Sequence, residues 1–189
     1  MRREYLHQLP LVEDAYARRA LALLRQLDTA CANAEDLATA TITLFRIHRD
    51  ATIITSQPGL GELTGARVLA EIGDDPTRFS DARGLKAYAG SARVTRASGK
   101  SRAVMHRRVK NQRLAATGYI WAFAALTASP GTRAHDDRRR AAGDKHIAAQ
   151  RNVFNRLIGC LHHCLTTRQH FDEDIAFPTD ETTSQQAAA

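Results

Sequence analysis

Apolar and small residues recur every three or four positions from residue 9 to residue 44, at Leu9, Val12, Tyr16, Ala20, Leu23, Leu27, Ala30, Ala34, Leu37, Thr41 and Leu44. No glycine or proline interrupts them after Pro10. That spacing predicts one long helix or a helical hairpin. A single helix of this length would run roughly 50 Å at 1.5 Å per residue. The stripe is narrow, so pairing with a second helix, as in a coiled coil, is the expected way to bury it. Further on, Pro58-Gly59-Leu60-Gly61 reads as a turn, and Leu63, Ala66, Val68, Leu69 and Ile72 as a short helix closing at Gly73. A helix from about Ser80 to Ala89 follows, with Ser80 as its expected cap. "NQRLAATGYIWAFAALTA", residues 111 to 128, is the most apolar segment and the expected core helix, ended by Ser129-Pro130-Gly131. Ile147, Phe154, Leu157, Ile158, Leu161 and Leu165 mark a last amphipathic helix over residues 145 to 168. The polar end, "PTDETTSQQAAA", predicts disorder. Strand signals are almost absent, so the fold class is mainly α. The expected division is residues 1–50 as the dimerisation helix, 51–170 as a compact helical domain with a helix-hairpin-helix-like turn, and 171–189 as a disordered tail.

Charge narrows the partner. The 189 residues carry 27 Lys or Arg against 20 Asp or Glu, a net charge of +7. A polyanion, DNA, RNA or an acidic membrane surface, is the expected partner. No apolar run is long enough to span a membrane, and "MRREYLHQLP" lacks the apolar core of a signal peptide. Three cysteines, Cys31, Cys160 and Cys164, are too few and too unevenly spaced for a disulfide framework, which makes a reducing cytoplasm the expected compartment.

The positive charge is concentrated. From Ala82 to His135 there is no Asp or Glu. "VTRASGKSRAVMHRRVK", residues 94 to 110, holds six basic side chains around a Ser-Gly pair. A solvated face usually mixes signs, so this run is a candidate phosphate-binding surface. Its candidate contacts are Arg93, Arg96, Lys100, Arg102, Arg107, Arg108, Lys110 and Arg113. Gly59 and Gly61 add a second candidate, because glycine lets backbone approach a phosphate and the following helix presents free N–H groups. Such contacts are blind to sequence. A serine hydroxyl needs a base or a metal beside it before it attacks a phosphodiester, and apart from His106 no base is local. From the residues alone, a phosphate-contact loop without catalysis is the favoured reading of Ser98-Gly99-Lys100-Ser101. Cys160, His163 and Cys164 fall on one helical face, but a fourth zinc ligand is missing, and buried thiols are the simpler expectation. The carboxylates show no strand-end convergence of the sort a divalent-metal nuclease needs, so no metal site is expected in this chain alone.

"SQPGLGELTGARVLAEIGDDPTRFSDARGLKAYAGSARVTRASGKS" resembles the C-terminal transposase domain of the IS-one-ten family of bacterial insertion sequences, which includes the Piv-type DNA invertases and recombinases guided by a bridge RNA. The matching pieces are Pro58-Gly59-Leu60-Gly61, "AEIGD" at 70–74, "RF" at 78–79, "LKAYAG" at 85–90 and "SGKS" at 98–101, and the resemblance covers roughly residues 50 to 168. It implies a serine that attacks DNA and forms a covalent protein–DNA intermediate. Ser98 is the position indicated, with Ser101 in reserve. It implies a coiled-coil linker in the N-terminal helix, joining subunits into a homo-oligomer. It also implies magnesium held by the four carboxylates of a RuvC-like domain that precedes the coiled coil. Residues 1 to 8 leave no room for that domain, so the chain alone is expected not to catalyse. Where relatives tend to carry Lys-Arg-Gly-Asn, this chain has Arg108-Val109-Lys110-Asn111. The expected function is therefore a transposase or site-specific recombinase fragment that binds element-end DNA, with or without a structured guide RNA. The competing expectation is a DNA- or RNA-binding remnant without strand transfer.

Overall fold

The computed structural model describes residues 8 to 178 apart from Pro76, Lys100 and His106; the side chains of Arg96, Arg102, Ala103 and Val104 are not described. The chain divides into two units, Met1–Thr43 and Leu44–Ala189. The first unit is helix α1, which spans Pro10–Arg46 and reaches its last residues in the second unit. The single-helix reading is correct and the hairpin alternative is not. At 1.5 Å per residue, 37 residues run about 55 Å. Its apolar stripe is open to solvent: Tyr16, Leu23, Leu27 and Leu37 are all more than half exposed.

The second unit is a helical body. In chain order it comprises α2 (Ala51–Thr55), α3 (Glu62–Ile72), α4 (Ala82–Tyr88), a hairpin of β1 (Val94–Ser98) and β2 (Ser101–Met105), α5 (Gln112–Ala128), α6 (Pro130–Ala141), α7 (His146–Thr167) and α8 (Glu173–Ala176). Helices α5 and α7 form the centre. Leu114, Trp121, Ala122, Ala125, Val153, Leu157, Ile158 and Leu161 are fully buried there. They are joined by Ile54, Val68 and Leu85 from α2, α3 and α4. The α5–α7 approach is close because Gly118 has no side chain: a Cβ there would sit 2.1 Å from the Phe154 ring. Trp121 meets the same ring edge-on at 6.0 Å.

Four sequence expectations need correction. Where strand signals were almost absent, Val94–Ser98 and Ser101–Met105 pair as an antiparallel hairpin that flanks the expected Ser-Gly loop. The cap of α4 is Asp81, whose Oδ1 accepts from the Gly84 N–H, and not Ser80. Ser129 does end α5, but it also caps a further helix, α6, with Pro130 in its first turn and the Ser129 Oγ accepting from the Thr132 N–H. The chain from residue 171 is not yet a disordered tail. Helix α8 forms there, Phe177 is buried, and the Glu173 carboxylate accepts from the Gly131 N–H at 2.6 Å. Residues 179–189 lie outside the described residues.

Candidate nucleic-acid interface

The Pro58–Gly61 turn joins α2 to α3, and its two glycines differ in surroundings. Gly59 has φ +77 and lies on the backbone of α5, where a Cβ would be 2.5 Å from the Ala125 nitrogen. The Trp121 indole N–H donates to the Pro58 carbonyl at 2.9 Å and holds the turn in place. The close approach that glycine permits here is to the protein's own core. Gly61 is exposed and is the N-cap residue of α3, and a Cβ added there would meet nothing described within 4 Å. The α3 N-terminus already carries an anion, Glu62, in its first turn. Arg46 grips that carboxylate with Nε at 2.6 Å and Nη2 at 2.8 Å. The pairing lowers the Glu62 carboxyl below its ordinary range, the hydrogen bond from Arg46 being the main cause.

The residues of "AEIGD" and "RF" form a second internal device. Gly73 has φ +78 and closes α3. Arg78 Nη1 donates to the Ile72 carbonyl at 2.8 Å and so satisfies an orphan carbonyl of the α3 C-terminus. Its guanidinium also lies over the Phe79 and Tyr88 rings, at 5.3 and 5.0 Å. Asn111, which caps α5, ties this corner to the core. Its side-chain NH2 donates to Glu71 Oε2 at 2.6 Å and to the Tyr88 hydroxyl at 2.7 Å, and its Oδ1 accepts from the Leu114 N–H.

The hairpin is different in kind. Val94 pairs with Met105 and, at the far end, Ser98 pairs with Ser101. The chain reverses around Gly99, whose φ of +54 is the left-handed conformation such a turn needs. A Cβ on Gly99 would meet nothing within 4 Å. Ser98, Gly99 and Ser101 are exposed. As a directly opposed pair, Ser98 and Ser101 share one face of the hairpin. The structure therefore brings both serine candidates to the same tip.

The basic residues divide more finely. Arg96 and Arg102 lie on β1 and β2, and Lys100 is outside the described residues. Arg108 is exposed. Arg107 is half-buried and its Nε has no hydrogen-bond partner among the described residues. Lys110 lies flat across Gly90, where its Cδ would be 2.2 Å from an added Cβ. Arg113 is 88% exposed and only 3.9 Å from the Glu71 carboxylate. Arg93 donates to Asn152 Oδ1 at 2.7 Å and lies 3.6 Å from Asp144. The stretch without acid is thus partly compensated by carboxylates from α3 and from the α6–α7 connection, a neutralisation that chain position conceals. Sequence reasoning also passed over Asn152 and Asn155 of α7. Neither carries a charge, and only the fold sets them beside Ser91 and Arg93.

Cys164 is buried and its sulfur accepts from Gln57 Nε2 at 3.4 Å. Burial pushes both the Cys160 and Cys164 thiols up from their ordinary value. They are packing residues, in keeping with the simpler expectation. Among the described residues, no group of three or more His, Cys, Asp or Glu side chains could hold a metal ion. No described helix is long and apolar enough to cross a membrane.

Residues 51–137 match the model of the family described as "Transposase IS116/IS110/IS902 family". Over this segment the chain is similar to the transposase domain of that family. The segment contains the PGLG turn, the Gly73–Arg78 corner, the serine hairpin and α5. Over 176 residues the chain is 62% identical to the "Mini-circle putative transposase for IS117" of Streptomyces coelicolor, an alignment covering 93% of this chain and 42% of that protein. It is 39% identical over 106 residues to an uncharacterized 42 kDa protein of insertion element IS900 from Mycobacterium paratuberculosis, covering 56% of this chain and 27% of that one. It is 38% identical over 107 residues to an uncharacterized 43.6 kDa protein of insertion element IS110 from Streptomyces coelicolor, covering 56% and 26%. The chain thus spans well under half the length of these relatives.

Proposed function

We propose that this chain is the DNA-engaging and serine-bearing part of an insertion-sequence transposase or recombinase. The observation that carries the reading is the hairpin tip. Within the segment that matches a transposase family, two exposed serines share one face of a glycine turn, inside a run of chain with no acidic residue. Ser98 is the proposed nucleophile and Ser101 the reserve. In the proposed step the Ser98 Oγ forms a bond to phosphorus, one phosphorus–oxygen bond of the DNA strand breaks, and the departing oxygen takes up a proton. The carboxylates and magnesium that the family resemblance implies would come from outside the residues described. Element-end DNA is the proposed substrate, a structured guide RNA a proposed further partner, and the cytoplasm the proposed setting. The exposed leucines of α1 support self-association through that helix as a coiled coil.

The test is a covalent-adduct assay. The full chain is incubated with element-end DNA and magnesium, with and without a RuvC-like domain from a relative, and run on denaturing gels. A protein–DNA band that disappears in Ser98→Ala is the expected result. A band that survives both Ser98→Ala and Ser101→Ala sinks the serine assignment. A second reading has its own observation. Neither Ser98 nor Ser101 makes a side-chain hydrogen bond to a described base, and no described metal cluster exists. A binding module without strand transfer is therefore the outcome if no band forms in either mixture while DNA is held tightly.

A further inference from the structure

A second feature lies at the foot of the hairpin, between α4 and α7. A cavity of about 290 Å³ is lined by Arg83, Lys86, Ser91, Ala92, Arg93, Asn152 and Asn155. Three of these seven residues are cations and none is an acid. Arg83 and Lys86 form no ion pair with any described carboxylate. Lys86 is steered by Gly159 of α7, which has no side chain to obstruct it: an added Cβ would be 2.6 Å from Lys86 Cε and 2.7 Å from Nζ. Arg93 is clamped by Asn152 Oδ1 at 2.7 Å. Asn155 is oriented by Ser91, whose hydroxyl donates to its Oδ1 at 3.1 Å, which leaves the Asn155 NH2 free to donate elsewhere.

The nearest acid does not neutralise this group. Asp144 is held first by Arg139, through Nε at 2.8 Å and Nη2 at 2.5 Å, and also accepts from Asn152 at 2.9 Å. Arg93 reaches it only at 3.6 Å. One carboxylate thus faces two guanidiniums, and the Arg83–Lys86 side of the cavity has none. Three cations and an amide donor around a cavity without acid suit a phosphodiester, which carries one diffuse negative charge and several acceptor oxygens.

We propose that this cavity seats a backbone phosphate of the DNA strand engaged by the hairpin. The proposal rests on the DNA-binding reading above and adds a site to it. Arg93 directly precedes β1, so the Arg93 edge of the seat lies about 17 Å along the strand from Ser98, at 3.2–3.4 Å per residue. At an axial rise of 3.4 Å per nucleotide, it holds a phosphate within about five nucleotides of the one that Ser98 faces. The seat fixes the register of the DNA and leaves the chemistry to the hairpin.

The test uses the full chain and two fluorescent probes, a DNA duplex and an RNA duplex of matched sequence, titrated over a series of salt concentrations. Each phosphate that the protein no longer neutralises flattens the dependence of log affinity on log salt by about 0.9. The variant Arg83→Gln/Lys86→Gln is expected to flatten the DNA slope by about one such step, while Arg83→Lys/Lys86→Arg keeps it. An unchanged slope in the Gln variant, with Arg108→Gln flattening it, removes the seat and leaves the DNA-binding reading intact. Equal loss in the charge-keeping variant makes the pair structural and overturns the seat. A change seen with RNA alone overturns it in favour of an RNA partner. No DNA binding by the unmodified chain overturns both the reading and the seat.

Discussion

Two glycine turns, Pro58–Gly61 and Ser98–Ser101, look alike in the sequence and are opposite in the structure. Each offers small residues around glycine, but a basic run follows only the second. In the first, Gly59 faces inward and its missing side chain admits the backbone of α5. In the second, Gly99 faces solvent and its missing side chain only permits the chain to reverse. The comparison teaches that glycine marks close backbone approach without saying to what. The neighbours decide. Trp121 and Ala125 claim the first turn for the core, whereas no described residue comes within 4 Å of a Cβ added at Gly99, and the two serines of the second are exposed.

Substitutions at the two turns sharpen this contrast. The largest effect is expected for Gly59→Ala. A left-handed backbone costs a non-glycine residue about 1–2 kcal/mol, and overpacking against α5 adds about 1–3 kcal/mol. A loss of about 3 kcal/mol follows, on the order of 10 °C in melting temperature by differential scanning calorimetry. Retention of wild-type stability would break the comparison. Trp121→Phe comes next. It keeps an aromatic ring but loses the pyrrole part of the indole, leaving the Pro58 carbonyl without its donor, at about 2 kcal/mol. Gly99→Ala pays only for its positive φ, about 1 kcal/mol, with no steric term because its surroundings are open. The smallest change is expected for Ser98→Ala and Ser101→Ala, within about 0.5 kcal/mol of wild type in chemical denaturation. A destabilisation above about 1 kcal/mol from either would mean that the tip is packed, contrary to its exposure.

Much of the helical body was legible because helix periodicity survives tertiary packing. The expected helix over 111–128 is α5 at 112–128, and that over 145–168 is α7 at 146–167. Helix α6 was obscured by its composition, "RAHDDRRRAAGDKH", which has almost no apolar stripe. Its buried face is Thr132 and Asp136, and the usable signal was Ser129 before Pro130. The hairpin was obscured by charge. "VTRAS" and "SRAVM" are short and interspersed with arginine, and the strand pairing is local to the two segments. The candidate site was legible as a serine pair in a basic run. Its partial neutralisation was not, because Glu71 and Asp144 lie outside the stretch and only the fold brings them back.

The chain has one tryptophan. Trp121 is wholly buried, bonded to the Pro58 carbonyl and edge-on to Phe154. Its fluorescence is therefore a built-in gauge of whether the PGLG turn is docked on the core. A ligand that engages only the hairpin tip should leave the emission maximum blue and unmoved. A shift to the red would report that the turn has lifted and water has reached the indole.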